Sequence, residues 1–181
     1  MRIIHFNEPW KHFEVYDFIS NNEHKEIKKL FKTFPDPRPT NDRISHKIEN
    51  KMLRERFIEL LRLLNVKWNE NKHSIHMELD KISPKFKFQI HTDIWTKVLS
   101  LIIHISETGH GTRLYSSHKS FDEWRTLVRT MNWTPRGGGG FLRTDETYHS
   151  FDTIEDNMMR QTILLTLRQN KNWITGEDYI I

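Results

Sequence analysis

A mainly β fold with flanking helices is what these 181 residues predict, on three observations. Helical periodicity is confined to the first third, strand-like runs succeed one another from residue 73 onward, and six of the seven glycines fall between Gly109 and Gly140. The opening residues read as a strand pair, 3–7 and 12–20. Ser20-Asn21-Asn22-Glu23 then forms a capping-box pattern, in which hydroxyl and carboxylate satisfy each other's amides at a helix start. Ile27, Leu30, Phe31 and Phe34 follow at helical spacing, and Pro35, Pro37 and Pro39 break the helix. A second amphipathic helix runs over about 49–64, where Met52, Leu53, Phe57, Leu60, Leu61 and Leu64 make one stripe. Such a stripe is core packing.

Strands are expected over 73–82, 85–91, 97–105, 113–117, 139–143 and 160–169. The run 98–103 is apolar except for Ser100, which marks a central strand covered on both faces. Between strands, Ser120-Phe121-Asp122-Glu123 opens a short expected helix containing Trp124, Leu127 and Val128. The clustered glycines place positive-φ turns where the chain reverses. The four glycines 137–140 are no phosphate loop, because no Gly-Lys-Ser/Thr follows them.

At 22.0 kDa the chain is expected to form one domain, 1–181, with an N-terminal helical support over about 1–72 and a β core over about 73–170. A domain of this size buries about 70% of its unfolded surface. There is no apolar run of 18 residues and no charged-then-apolar leader, and with no cysteine there is no disulfide framework. A cytoplasmic protein without membrane attachment is the expectation. The net charge of +4 is spread along the chain beside carboxylates, which argues against a nucleic-acid footprint. The same mild field favours anionic small molecules.

The chemistry concentrates in a few residues. His91-Thr92-Asp93 ends the strand-like run Lys85-Phe86-Lys87-Phe88-Gln89-Ile90, and His149 follows the glycine-rich turn. An H-x-D arises by chance roughly 0.6 times in a chain of this composition, so context must supply the specificity. In an extended strand His91 and Asp93 share a face with Cα atoms roughly 6.5 Å apart, close enough to converge on one ion. On that reading Lys87, Gln89, His91 and Asp93 face a cavity, while Phe86, Phe88 and Ile90 face a supporting layer. Two imidazoles and a carboxylate leave open positions on a metal, the facial arrangement of non-haem Fe(II) oxygenases. Downstream, Arg160, Thr162, Leu164 and Thr166 share one strand face, and a guanidinium beside a hydroxyl is a carboxylate clamp.

This ordered set resembles the 2-oxoglutarate and Fe(II)-dependent dioxygenases of the double-stranded β-helix (jelly-roll, cupin-like) fold, in particular their small prolyl-hydroxylase-like branch of bacteria and phages. The resemblance covers residues 73–168. It rests on His91 and Asp93, the buried strand through Ile105, the turn from Gly109 to Tyr115, Pro135-Arg136 with four glycines before Phe141, His149, and Arg160-x-Thr162. It implies N-terminal helices packed on the major sheet. It also implies Fe(II) on His91, Asp93 and His149, with O2 and 2-oxoglutarate as cosubstrates. Arg160, helped by Thr162, would then hold the far carboxylate of 2-oxoglutarate. The implied reaction is hydroxylation of a C–H bond, of a peptidyl or free amino acid. Two departures bear on that carboxylate. His104-Ile105-Ser106 stands where the family often has a Tyr-Leu-Asn-like triplet, and Gly111-Thr112-Arg113-Leu114 where it has Gly-Gly-x-Leu. They leave its second partner among Tyr115, Ser100 and Thr162, of which Thr162 has the fitting position.

His73, His76 and Glu78 form a rival ligand set, but they lie one strand too early in the order. His104 shares a face with Val98, Ser100 and Ile102, which turns it toward the cavity without a ligand role. The loops 117–133 and 35–43 are the expected substrate entrance. Trp95, Trp124 and Trp133 could stack on a substrate there, although packing explains each of them. Two other functions fit less well. A nucleic-acid demethylase of the same fold would need an arginine spacing that Arg160 and Arg168 do not show. A non-catalytic cupin-like metal-binding protein has no use for Arg160.

Overall fold

The computed structural model describes residues 1–38, 42–116, 125–152 and 159–170. The first third supplies strands β1 (Arg2–Phe6) and β2 (His12–Tyr16), helix α1 (Asn21–Thr33), strand β3 (Arg43–Lys47) and helix α2 (Lys51–Leu63). The remainder is β4 (His73–Ile82), β5 (Lys87–His91), β6 (Lys97–His104), β7 (Arg113–Tyr115), β8 (Leu127–Thr130), β9 (Gly138–Leu142), β10 (His149–Asp152) and β11 (Arg160–Gln169). They form two antiparallel sheets, one of seven strands in the order β1-β2-β9-β6-β11-β4-β3 and one of four in the order β5-β10-β7-β8. The architecture is a β-sandwich of jelly-roll type.

Both helices begin where the sequence says they should. The Ser20 hydroxyl accepts from the Glu23 amide at 3.3 Å while the Glu23 carboxylate accepts from the Ser20 amide at 2.5 Å. Asn50 caps α2, its side-chain oxygen accepting from the Leu53 amide at 3.0 Å. Ile27 and Phe31 of α1 and Leu53, Phe57, Leu60 and Leu61 of α2 belong to the same buried cluster as Leu99, Leu101 and Ile103 of β6 and Ile163, Leu165 and Leu167 of β11. Strand parity then sends the alternate residues of β6 and β11 to the other face of the large sheet. There Ser100, Ile102, Arg160, Thr162 and Leu164 line a cavity of about 230 Å³.

The N-terminal third is more than a helical support, because β1, β2 and β3 extend the large sheet at both edges. The strand β3 was not evident in the sequence. It is a short, polar edge strand held by β4 alone, with no apolar alternation to announce it. Leu127 and Val128, expected in a short helix, lie instead in β8, where pairing with β7 overrides the local capping pattern. Ser120 to Trp124, the start of that expected helix, fall outside the described residues.

The glycines also act differently from expectation. No described glycine has a positive φ, and the reversal before β9 is made by Arg136 at φ 69°. What the glycines permit is close approach. A Cβ on Gly138 would stand 1.8 Å from the Ile102 carbonyl oxygen, and one on Gly111 would stand 1.8 Å from that of Met131.

Candidate metal and carboxylate site

The small sheet carries two histidines. In the antiparallel ladder of β5 and β10, His91 stands opposite His149, with ring centroids 4.3 Å apart. Each Nδ1 lies against the backbone carbonyl two residues back, that of Gln89 at 2.9 Å for His91 and that of Thr147 at 2.8 Å for His149. A carbonyl only accepts, so each Nδ1 carries a proton, and the neutral form of each ring has its lone pair on Nε2, the tautomer a metal needs. Burial is the largest influence on His149 and pushes its pKa down to about 4, which keeps it neutral at physiological pH.

Asp93 lies just past the end of β5 and is buried. Its Oδ1 accepts from the Lys97 ammonium at 2.5 Å, its Oδ2 from the Ser100 hydroxyl at 2.6 Å, and its backbone carbonyl from the Arg143 guanidinium at 3.2 Å. Burial raises the carboxyl pKa, but the Lys97 and His149 charges and the two side-chain hydrogen bonds outweigh it and hold the group below its ordinary value. One ligand atom from each of His91, Asp93 and His149 falls within 4.8 Å of the others. Two imidazoles and one ionised carboxylate are a donor set that suits a divalent first-row metal.

The large sheet lines the cavity through β11 among other strands. Arg160 is 3% exposed, its guanidinium carbon 4.2 Å from the Phe151 ring and 5.3 Å from that of Trp133. Thr162 follows on the same face, opposite His104 in the β6–β11 ladder. The Thr134 amide donates to His104 Nδ1 at 3.0 Å, so the neutral ring carries its proton on Nε2. Burial, reinforced by the Arg160 charge, lowers the His104 pKa to about 3. Trp133 stacks on that ring at 4.0 Å and donates to the Ser106 carbonyl, so it is packing.

Two expectations are corrected. Phe88 lines the cavity, edge-on to His91 at 4.4 Å and stacked on Phe151, while Lys87 and Gln89 are exposed. The cause is an irregularity in the ladder: His91 pairs with His149 but Phe88 with Phe151, so three steps on β5 match two on β10 and facing shifts by one residue. Tyr115 does not line the cavity. Leu114 is the residue opposite His149, so Tyr115 points to the other face, where its hydroxyl meets Ser150 at 2.8 Å. Ser100, another candidate for the carboxylate, is the partner of Asp93 instead.

The rival His73, His76 and Glu78 make no ligand cluster. His73 contacts Asn69 and His76 contacts Ser74, and among the described residues only His91, Asp93 and His149 form such a group. Trp95 is exposed two residues past Asp93, Trp124 lies outside the described residues, and the expected entrance loops are described only in part. Sequence reasoning missed Lys97, Phe88 and Phe151, and also Arg43, which pairs with Asp80 in the cavity wall. Only Lys97 had a signal, its nearness to Asp93 in the chain. Among the described residues no helix is long and apolar enough to cross a membrane.

No family model and no curated protein matches the sequence. Solved structures do. The viral collagen prolyl hydroxylase of Paramecium bursaria Chlorella virus-1, in complex with 2-oxoglutarate, overlays with a TM-score of 0.61 at 12% identity, covering 87% of this chain and 95% of that one. A Pseudomonas putida prolyl-4-hydroxylase gives 0.62 at 10% identity, covering 88% and 92%. A Trichoplax adhaerens prolyl hydroxylase, bound to a fragment of a hypoxia-inducible factor, gives 0.61 at 10% identity, covering 87% and 83%. The chain thus shares the fold of prolyl hydroxylases over most of its length.

Proposed function

We propose that the protein is a non-haem Fe(II) and 2-oxoglutarate-dependent dioxygenase that hydroxylates a C–H bond of an amino acid, peptidyl or free. The observation that carries this reading is the division of one cavity between two kinds of group. The His91 and His149 imidazoles and the Asp93 carboxylate come together in one part of the cavity, and the buried Arg160 guanidinium lines another with Thr162 beside it. His91, Asp93 and His149 would hold Fe(II), and Arg160 with Thr162 the distal carboxylate of 2-oxoglutarate. When bound, the metal and cosubstrate supply the oxidising chemistry: O2 is consumed, 2-oxoglutarate becomes succinate and CO2, and a substrate C–H becomes C–OH.

The chain contributes position and electrostatics. Ser100 and Lys97 fix the Asp93 carboxylate, and the Gln89 and Thr147 carbonyls fix the imidazole tautomers. Phe88, Phe141 and Phe151 wall the cavity against water. His104, neutral beside Arg160, adds no charge that would compete for a carboxylate.

We read the chain as a single oxygenase domain of double-stranded β-helix type, its core over 73–170 and its helices packed on the large sheet, as the shared buried cluster supports. The cysteine-free composition fits a cytoplasmic enzyme. Relatives in fold that act on prolyl residues, one of them bound to a peptide, favour an amino-acid or peptide substrate over a nucleic acid. The test is succinate release from 2-oxoglutarate with Fe(II). Wild type releases it, whereas Asp93→Ala and Arg160→Ala do not, the first through lost iron and the second through weakened 2-oxoglutarate binding. Unchanged iron affinity and turnover in Asp93→Ala would overturn the assignment.

A further inference from the structure

Arg160 and Arg168 lie on one face of β11, at opposite ends of the strand, and both line the cavity. The metal ligands stand between them. Asp93 is bonded to Ser100, and Ser100 is the partner of Thr166 in the β6–β11 ladder. From Thr166, Thr162 lies roughly 13 Å along the strand in one direction and Arg168 roughly 7 Å in the other. A cosubstrate held by Arg160 and Thr162 therefore occupies one side of the metal site and leaves the Arg168 side to the substrate.

The Arg168 side chain reaches back along β11 toward Glu78 of β4, which stands opposite Leu164 and also lines the cavity. Their Nη2 and Oε1 are 3.6 Å apart, beyond hydrogen-bond reach, and the Arg168 Nε donates to the Thr166 hydroxyl at 3.2 Å. Both side chains keep some exposure, 25% for Arg168 and 17% for Glu78. The neighbouring wall pair differs. Arg43 grips Asp80 through two hydrogen bonds, at 3.2 and 2.8 Å, and Ser45 also bonds that carboxylate, whose side chain is 4% exposed. One wall pair is hydrogen-bonded with a buried carboxylate, and the other is a longer ion pair whose two side chains both keep some exposure.

We propose that Arg168 and Glu78 read the substrate, and that the substrate is a free α-amino acid whose carboxylate pairs with Arg168 and whose ammonium pairs with Glu78. The assignment rests on the dioxygenase reading for the place of the cosubstrate. A zwitterion carries both charges on one carbon and can satisfy the two side chains together, with a two-pronged guanidinium contact to its carboxylate. A residue inside a peptide carries neither charge and would desolvate both side chains without replacing their water. The cavity, at about 230 Å³, lies below the roughly 300–1,000 Å³ of sites that enclose drug-sized ligands, which also favours a small substrate.

The test is calorimetric titration of the protein loaded with Fe(II) and 2-oxoglutarate, without oxygen, by each free L-amino acid and by its N-acetyl amide. At least one free amino acid should bind tenfold or more tightly than its blocked form. Arg168→Ala and Glu78→Gln should each weaken that binding at least tenfold, and Arg168→Lys should recover part of it. Binding of blocked residues or proline-containing peptides as tight as that of any free amino acid, or indifference to both substitutions, overturns the proposal. Titration with 2-oxoglutarate beforehand keeps the two readings apart. A protein that takes 2-oxoglutarate but no free amino acid loses this pair and keeps the oxygenase, and the reverse result does the opposite.

Discussion

The two sheets differ in the length of their longest strands and in what they carry. In the seven-stranded sheet β4 and β11 are ten residues each and pair in register from end to end, with Met77, Leu79, Ile163, Leu165 and Leu167 buried, and the β6–β11 ladder has one irregularity, between Leu167 and Arg168. In the four-stranded sheet no strand exceeds five residues, and the ladders on both sides of the layer contain irregularities. Yet the small sheet carries His91 and His149, while the large one carries Arg160, Thr162 and the hydroxyl that orients Asp93. Stability and the candidate metal ligands are thus largely divided between layers. The long sheet holds the fold and the proposed carboxylate clamp, and the short one can bend to bring two imidazoles together.

The most forceful way to break this comparison is in the long sheet. Leu165 is fully buried among β6 and helix side chains, so Leu165→Ala removes methyl groups and leaves a cavity, at a cost of about 2–5 kcal/mol. Urea unfolding would show the loss, and iron stoichiometry measured below the transition should stay at the wild-type value. A variant that lost iron while keeping its stability would show that the layers are not separable in this way.

A gentler substitution sharpens the point of contact between them. Ser100 sits in the long sheet but serves Asp93, donating to Oδ2 at 2.6 Å. Ser100→Ala should weaken iron affinity about 10–100-fold, the usual effect of removing a hydrogen bond that orients a metal ligand. Its effect on unfolding should be near 1 kcal/mol. Competition against a chelator gives the first quantity and urea unfolding the second. Unchanged iron affinity beside that loss of stability would make Ser100 a structural residue and no more.

The same division explains what could be read from the sequence. β4 and β11 have the bounds expected of them, because alternation over ten residues leaves one parity for the core, and α1 starts at its capping box. His91, Asp93 and His149 were legible from type and order. Phe88 was not, because its facing depends on a ladder irregularity that slips parity by one residue and leaves no mark in the residues themselves. Tyr115 was misplaced for a related reason: in a three-residue strand parity is set only by the partner, and the partner of His149 proved to be Leu114. Long strands declare their faces through their own pattern, whereas short ones inherit them from neighbours.

His104 offers the finest test, since it is a long-strand residue whose state depends on groups from elsewhere in the chain. Its pKa falls to about 3 through burial and, secondarily, the Arg160 charge. Above pH about 6.5 the ring is neutral in folded and unfolded chains alike. Between about 6.5 and 3 the unfolded chain takes up a proton that the folded chain refuses, so stability drops as pH falls through that window, and below it the loss is complete. Other depressed groups, His12, His76 and Glu14 among them, act in the same direction, so the residue must be isolated by substitution. Urea midpoints at pH 6, 5 and 4 should fall more steeply for wild type than for His104→Asn, by about 1.4 kcal/mol per pH unit, the contribution of one proton. Equal slopes would mean that the folded protein protonates His104 readily, and a cationic ring beside Arg160 would then take part in holding the distal carboxylate.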